Sequence, residues 1–306
     1  MKEIGFTQMV SVGCGIDVHQ SQITASIRKS SDEVETREFE AYTSSLTSLR
    51  EWCKQEGVTH VAMESTGVYW KPVFNILEED FEIILVNARH VKNVPGHKTD
   101  KKDSRWLSKL LLSGLLKGSF IPPRDIRELR DLVRYRKKVV GQISSEKNRI
   151  IKILEDANIK LSSVLSNVDG GVGSKVINDL INGETSVDQL MLHYHNKQRV
   201  SKAEFRKALE GHITPHHQLM LRIHKDSISD KEAQLIRLDE AIDKATQAYQ
   251  LEIELLDTIP GVGKESAIAI ISEIGVDMNR FPSETHLSSW AGMSPGNCET
   301  GGKKKV

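Results

Sequence analysis

Two short apolar runs in this sequence each end on a carboxylate. The first reads VGCGID and ends at Asp17, and the second reads VTHVAME and ends at Glu64. Both have the length and composition of β-strands, and the alternating segment QITASI at residues 22–27 is typical of a returning hairpin strand. The chain is therefore expected to fold so that acidic side chains lie at the ends of strands.

A second pair of carboxylates, Asp100 and Asp103, opens a predicted helix. Acidic residues from two strand ends and one helix are able to converge on Mg²⁺, which binds a few carboxylates together with water and phosphate oxygens. Two such ions stabilise the attacking and leaving oxygens of a phosphodiester. Four residues are therefore predicted to be metal ligands and catalytic residues in phosphoryl transfer on nucleic acid: Asp17, Glu64, Asp100 and Asp103.

The order of predicted elements is that of an α/β domain. Strands are predicted near residues 12–18, 22–28, 34–40, 58–64 and 82–87, and helices near residues 44–56, 70–79 and 100–117. Three strands followed by alternating helices and strands match the RNase H-like (RuvC-like) layout. Pro122-Pro123 ends this pattern, so residues 1–121 are predicted to form the catalytic domain.

The middle of the chain, residues 122–256, is predicted to be a helical, coiled-coil region. Nine of eleven heptad positions between Ile126 and Leu161 are apolar, Val140 among them. A second heptad series, Leu221 to Tyr249, lies in a helix predicted from Pro215 to Leu256. The two helices are expected either to pair as an antiparallel hairpin or to drive dimerisation.

Residues 257–306 are predicted to form a small, mostly α-helical C-terminal domain. The run IPGVG at residues 259–263, followed by a helical stretch, resembles a helix-hairpin-helix motif. Glycines let such a backbone approach a phosphate, and the following helix N-terminus offers N–H donors. Gly261, Gly263 and Lys264 are therefore predicted to bind the nucleic-acid backbone; a tight turn between two packed helices is the alternative.

Charge is distributed unevenly along the chain. The sequence has 42 basic and 42 acidic residues, yet residues 89–152 hold 18 Lys and Arg against 6 Asp and Glu. A basic segment beside carboxylates is expected of a protein with a polyphosphate partner. The residues predicted to bind nucleic acid here are Lys98, Lys101, Lys102, Arg130, Arg134, Lys137 and Lys138. The alternative for residues 124–138 is a solvated helix face.

The sequence gives no indication of secretion or of a membrane. Residues 1–10 lack a signal-peptide pattern, and the longest apolar runs are far too short to cross a bilayer. The 3 cysteines show no paired spacing, which fits a reducing compartment and disfavours structural zinc. We therefore expect a cytoplasmic protein without a membrane partner.

Three acidic motifs read GIDVH at residues 15–19, MESTG at 63–67 and HKTDKKD at 97–103. They resemble the motifs of the DEDD transposases of the insertion-sequence 110 family, relatives of the pilin-gene invertases. Near the C-terminus, PGVG at 260–263, RFPS at 280–283 and WAGMSPGN at 290–297 are similar to that family's second transposase domain. The resemblance covers both ends of the chain, and the middle is similar only in general character.

The resemblance implies a DNA transposase or site-specific recombinase of a mobile insertion sequence. In such proteins the RuvC-like carboxylates bind Mg²⁺, and a serine of the C-terminal domain forms a covalent link to DNA. The implied partners are the DNA of the element ends and target, a structured guide RNA, and other copies of the chain in a dimer or tetramer.

The chain departs from the family pattern at two places. The stretch NCETGGK at residues 297–303 matches the family's serine segment, so Thr300 takes the place of the serine. A threonine hydroxyl is able to attack phosphorus, but its β-branch restricts χ1 and crowds the approach. The family also continues with a basic segment beyond the position of Val306, which leads us to expect a truncated or decayed copy, or a fragment.

Three other functions account for part of the sequence. A junction-resolving nuclease would use the same carboxylates without a nucleophilic hydroxyl, but it leaves the C-terminal motifs unexplained. A sugar-kinase or actin-like ATPase also has Gly-Ile-Asp on its first strand, but it requires a second phosphate-binding loop and a duplicated domain, neither of which the sequence shows. The third is an inactive, nucleic-acid-binding remnant of a transposase.

Overall fold

The computed structural model describes residues 10–29, 33–65, 67–87, 100–116, 118–195, 200–293, 299–300 and 303–304. For residues 100–102, 299–300 and 303–304 the description covers the backbone alone. The chain divides into two compact units, residues 1–121 and residues 122–306. No helix in the described part of the chain is long and apolar enough to cross a membrane.

A five-stranded mixed sheet forms the centre of the first unit. Its strands are β1 (Gly13–Val18), β2 (Gln22–Arg28), β3 (Val34–Glu40), β4 (His60–Glu64) and β5 (Glu82–Val86). They lie in the order β3-β2-β1-β4-β5. Strand β2 is antiparallel to both of its neighbours, β1 and β3, while β4 is parallel to β1 and β5 is parallel to β4. Each strand lies where the sequence predicts it, and the mixed sheet agrees with the expected α/β class.

Strand β3 is an edge of this sheet and is rich in charge. The exposed side chains are those of Glu35, Arg37, Glu38 and Glu40. Thr36 and Phe39 are partly buried, and they point to opposite sides of the sheet because strand side chains alternate.

Helices cover both faces of the sheet. Helices α1 (Thr43–Gln55) and α2 (Trp70–Leu77) pack on one face, where the apolar side chains of Ile16 and Val18 lie. Helix α3 (Asp100–Leu112) packs on the other face, where Leu107 and Leu111 contact Ala62 and Val86. The alternation of β1 therefore sends its bulky side chains to α1 and leaves its glycines under α3.

The thiols of Cys14 and Cys53 meet in the core between β1 and α1, although their spacing in the sequence shows no pairing. Both residues are fully buried and both thiols are free. A hydrogen bond with Cys53 and burial raise the pKa of the Cys14 thiol well above its ordinary value. The thiol therefore stays protonated and acts as a small apolar side chain in the core.

The second unit is built on two long helices, α4 (Arg124–Asp156) and α9 (Pro215–Ala245). Between them lie α5 (Leu161–Val164), α6 (Gly171–Ile181), α7 (Val187–Leu190) and α8 (Lys202–Leu209). After them follow α10 (Gln250–Asp257), α11 (Lys264–Ile274) and α12 (Glu284–Trp290). The two-residue strands β6 (Glu299–Thr300) and β7 (Lys303–Lys304) pair antiparallel at the C-terminus. The predicted helix from Pro215 to Leu256 is therefore interrupted after Ala245.

Helices α4 and α9 pair with each other in antiparallel orientation. Arg136 binds Asp239, and Glu146 Oε2 accepts a hydrogen bond from His224 Nδ1 at 2.7 Å. Near the other end of the pair, His217 Nε2 lies 2.9 Å from Asp156 Oδ2. Residue numbers thus rise along α4 as they fall along α9. Of the two predicted arrangements, the structure has the antiparallel hairpin. A coiled coil in the strict sense stays a prediction.

The contact stripe of α4 differs from the predicted heptad series at two positions. Val140 is 40% exposed while its neighbour Val139 is buried, and Glu146 is buried beside Lys147, which is one of the two polar positions of the same heptad series. An α-helix completes a turn in about 3.6 residues, so its contact stripe drifts away from a strict seven-residue repeat. The heptad series therefore predicts the buried residues Ile126, Leu129, Ile143 and Ile150 but misses Val139 and Glu146.

Candidate metal centre and nucleic-acid surface

A row of small side chains crosses the face of the sheet that α3 covers. Gly15 of β1 pairs with Ser26 of β2 and with Ala62 of β4. Ser26 in turn pairs with Thr36 of β3. Because residues at paired positions point to the same face of a sheet, these four residues form a shallow seat for the helix.

Helix α3 lies directly on this seat at Gly15. A Cβ atom at position 15 would lie 2.2 Å from the backbone O of Ser104 and 2.4 Å from the backbone N of Ser108. At Gly13, two residues earlier on β1, the nearest atom belongs to Leu111. The helix therefore runs opposite to β1, and its first turn lies toward the carboxyl ends of β1 and β4.

The carboxylates Asp17 and Glu64 lie on that same face, two residues beyond the seat. Ile16 pairs with Met63 in the parallel β1–β4 ladder, so Asp17 and Glu64 follow at matching positions of neighbouring strands. Asp103 belongs to the first turn of α3 and is partly buried. The structure thus brings three of the four predicted ligands to one end of the sheet. The backbone of Asp100 begins the same helical turn; its side chain lies outside the described residues.

Asp17 has a hydrogen-bond partner that the sequence did not single out. His19 Nε2 lies 3.2 Å from Asp17 Oδ2, and the Asp17 side chain is only 14% exposed. The two residues are two apart at the end of β1, where the chain turns toward β2. A histidine close behind a predicted ligand was the available signal, but on its own it is more often a polar loop residue.

The chemistry of this donor set fits a hard divalent cation. Carboxylate oxygens are the ligands that Mg²⁺ and Mn²⁺ prefer, and the described members of the set are carboxylates on rigid elements. Among the residues whose side chains are described, no group of three His, Cys, Asp or Glu lies close enough to hold a metal.

Comparison with known proteins places both ends of the chain in one family. Residues 14–159 match the family model described as a transposase of the DEDD type, and residues 253–306 match the model described as "Transposase IS116/IS110/IS902 family". The chain belongs to the IS110 family of transposases. The first model implies an RNase H-like fold for the catalytic part of this family member, in agreement with its mixed sheet.

Two curated relatives are pilin gene-inverting proteins, from Moraxella lacunata and Moraxella bovis. Each is 29% identical to this chain over 108 residues, which are 35% of this chain. The matched segment covers 32% of the relative's own length. This IS110 family member is thus matched over about a third of each inverting protein.

The structure gives both of the predicted nucleic-acid-binding arginines, Arg130 and Arg134, a role within the fold. Arg130 donates hydrogen bonds to the backbone O atoms of Ser272 at 3.0 Å and Glu273 at 2.6 Å, at the end of α11. Arg134 forms two hydrogen bonds with the Glu273 carboxylate, at 2.7 and 2.8 Å, and they raise the pKa of Arg134. These contacts hold α11 against α4. Fewer basic residues of the segment 89–152 are therefore available to bind a ligand than the sequence count suggests.

Lys137 and Lys138, on the same helix, are exposed. Lys137 and Lys264 line one groove of about 640 Å³ between α4, α9 and α11. Lys264 Nζ also lies 3.3 Å from Asp243 Oδ1, an exposed pair of the kind that contributes little to stability. The structure therefore brings together two of the lysines predicted to bind nucleic acid.

The loop before α11 has the backbone that its glycines predict. Gly261 has φ of +89°, in the region that favours glycine, and Gly263 is extended and directly precedes the first turn of α11. Helices α10 and α11 pack against each other across this loop. The helix-hairpin-helix assignment stays a prediction, as does phosphate binding by the loop.

Several predicted site residues lie outside the described parts of the chain. Lys98 is one of them, and only the backbone is described for Lys101, Lys102 and Thr300. Thr300 belongs to strand β6 and pairs with Lys303.

Neutralising exposed lysines should separate nucleic-acid binding from folding. The variant Lys137→Gln/Lys138→Gln is expected to lower the slope of log affinity against log salt by about 0.7–0.9 for each phosphate that the protein no longer neutralises. The matched variant Arg130→Gln/Arg134→Gln is expected instead to lower the free energy of unfolding, because it removes the bonds to Ser272 and Glu273. Fluorescence anisotropy at several salt concentrations and urea unfolding measure the two effects. An unchanged salt slope for the lysine variant would mean that this face is only solvated surface.

Proposed function

We propose that this chain is a DNA recombinase of a mobile insertion sequence that cleaves and rejoins DNA strands with a divalent metal, Mg²⁺. The observation that carries the proposal is the row of Asp17 and Glu64 on adjacent parallel strands beneath the helical turn of Asp103. The match of both ends of the chain to transposase models supports it. The relatives' name, gene-inverting protein, fits the same reaction class, because inversion of a gene requires strands to be cut and rejoined.

The proposed ligands and catalytic carboxylates are Asp17, Glu64, Asp100 and Asp103. Bound Mg²⁺ would neutralise phosphate charge and stabilise the oxygen that leaves phosphorus. The chain's own contribution is to hold the carboxylates at fixed positions on β1, β4 and α3, with His19 holding one oxygen of Asp17. A site on strands and a helix is held more precisely than one on loops.

The proposed nucleophile is the hydroxyl of Thr300, in the segment that matches the second transposase model. Its Oγ would form a bond to a DNA phosphorus while the bond from that phosphorus to a sugar oxygen breaks. The hydroxyl proton passes to solvent, and the sugar oxygen leaves as a hydroxyl after taking up a proton. Rejoining reverses these steps with a different DNA hydroxyl.

The proposed partners are the DNA of element ends and target, a structured guide RNA, and further copies of this chain in a dimer or tetramer. Lys137, Lys138 and Lys264 are exposed on the second unit and are proposed to contact phosphates there. Gly261 and Gly263 would let the backbone approach a phosphate next to Lys264.

A covalent adduct between protein and DNA tests this proposal. With Mg²⁺ and labelled DNA carrying the element end, Thr300→Ser is expected to raise the yield of adduct, because serine lacks the methyl group that crowds in-line attack. Thr300→Ala is expected to remove the adduct. Denaturing electrophoresis measures both.

Strand cleavage without any adduct, in wild-type and Thr300→Ser protein alike, would favour a junction-resolving nuclease instead. An adduct that persists in Thr300→Ala protein would place the nucleophile at another hydroxyl.

A further inference from the structure

A chain of hydroxyl groups joins α3 to the sheet. The Oγ atoms of Ser26 on β2 and Ser104 on α3 lie 2.8 Å apart and share a hydrogen bond. Ser26 Oγ also lies 2.9 Å from Thr36 Oγ1 on β3, and Thr36 accepts a further hydrogen bond from Arg105 Nε at 2.9 Å. Two successive residues of α3 are therefore bound to the sheet through polar groups.

Burial makes the bond between Ser26 and Ser104 a directional constraint. Both side chains are 0% exposed, and a buried hydroxyl without a partner is strongly disfavoured. Beside these hydrogen bonds, Leu107 and Leu111 make apolar contacts with this face of the sheet. Apolar contacts have no preferred direction, so they permit the helix to roll on its seat. The hydroxyl pair selects one rotation.

The rotation selected at Ser104 also sets the direction of the carboxylate beside it. Ser104 directly follows Asp103, and successive helical residues point about 100° apart. We propose that Ser26 and Ser104 form a positioning pair that holds the first turn of α3 at the rotation in which Asp103 faces Asp17 and Glu64. This inference rests on the proposed metal-dependent function and adds two residues that no metal touches.

The same helix supplies a matched control. Ser108 is also 0% exposed and also lies against Gly15, but its hydroxyl donates within the helix, to the backbone O of Arg105 at 2.8 Å. Ser104→Ala and Ser108→Ala therefore each delete one buried hydroxyl from α3. Only Ser104→Ala removes a bond to the sheet.

Metal binding by the full chain tests the positioning pair directly, without a need for DNA cleavage. Mn²⁺ takes the same oxygen ligands as Mg²⁺, and the electron paramagnetic resonance signal of free Mn²⁺ reports its binding. Ser104→Ala is expected to weaken Mn²⁺ binding by about threefold to tenfold, and Ser26→Ala is expected to do the same from the β2 side. Ser108→Ala is expected to bind like wild type. Thermal unfolding of each variant shows that it is folded at the temperature of the titration.

Three outcomes would overturn the inference. Folded Ser104→Ala and Ser26→Ala proteins that bind Mn²⁺ like wild type would show that the bond does not aim the carboxylates. An equal loss in Ser108→Ala would show a general effect of loosening α3. Absence of Mn²⁺ binding in the wild-type chain would remove the proposed metal-dependent function as well, which distinguishes that failure from the first two. Should Ser104→Ala fail to fold, Ser26→Ala decides alone.

Discussion

Asp17→Ala is expected to abolish Mg²⁺-dependent DNA cleavage while leaving the fold intact. Asp17 lies at the end of a central strand, at the position matching Glu64, so its removal takes one ligand from the middle of the proposed site. A misplaced metal ion loses several kcal/mol of transition-state stabilisation, so the rate of cleavage should fall by about a thousandfold. Asp103→Asn should have the same effect without changing the shape of the side chain.

The measurement is cleavage of labelled DNA over a range of Mg²⁺ concentrations, with far-ultraviolet circular dichroism as the test of folding. Glu40→Ala is the control, because Glu40 is an exposed carboxylate on the edge strand of the same sheet. It should cleave like wild type. Cleavage at the wild-type rate by a folded Asp17→Ala protein would refute the metal site.

Gly15→Ala is expected to dislodge α3 and with it the metal site. The added Cβ atom would lie 2.2 and 2.4 Å from backbone atoms of Ser104 and Ser108, and a backbone is unable to rotate away as a flexible side chain does. Overpacking of this kind typically costs about 1–3 kcal/mol of stability. Because the helix also carries Asp103, Gly15→Ala should lower the free energy of metal binding by more than it lowers the free energy of unfolding.

Gly141→Ala is the matched control, with an effect of opposite sign. Gly141 lies in the middle of α4, and a Cβ atom there has no neighbour within 4 Å. Alanine should raise the free energy of unfolding by up to about 1 kcal/mol, because glycine disfavours a helix interior. Urea unfolding measures both variants. Equal stability of Gly15→Ala and wild-type protein would show that α3 does not lie as close to β1 as the structure has it.

The positions of strands and carboxylates could be predicted because they depend on local sequence. Alternation and turn residues predict the five strands, and a carboxylate that follows an apolar run predicts where a strand ends. The neighbouring places of Asp17 and Glu64 follow once β1 and β4 are known to be parallel. The mixed sheet and the family match agree with the expected RNase H-like fold.

The partners of individual side chains could not be predicted, because they depend on how distant elements pack. Arg130 resembles a phosphate-binding residue in sequence, yet it binds backbone oxygens more than 140 positions away, at Ser272 and Glu273. Ser26 and Ser104 are separated by 78 positions, and neither belongs to a motif. The seat under α3 could not be predicted either, since a glycine within a strand marks a bulge, a bend or the close approach of another backbone, and the sequence does not distinguish these.

The charged edge of the sheet has a consequence for how copies of the protein associate. Strand β3 is an edge of the sheet, and it carries the exposed side chains of Glu35, Arg37, Glu38 and Glu40. Such charges discourage a strand of a neighbouring molecule from extending the sheet, and they protect a cell from aggregates that grow edge to edge. In the proposed assembly on DNA, subunits that do not merge their sheets would be able to separate again after the strands are rejoined.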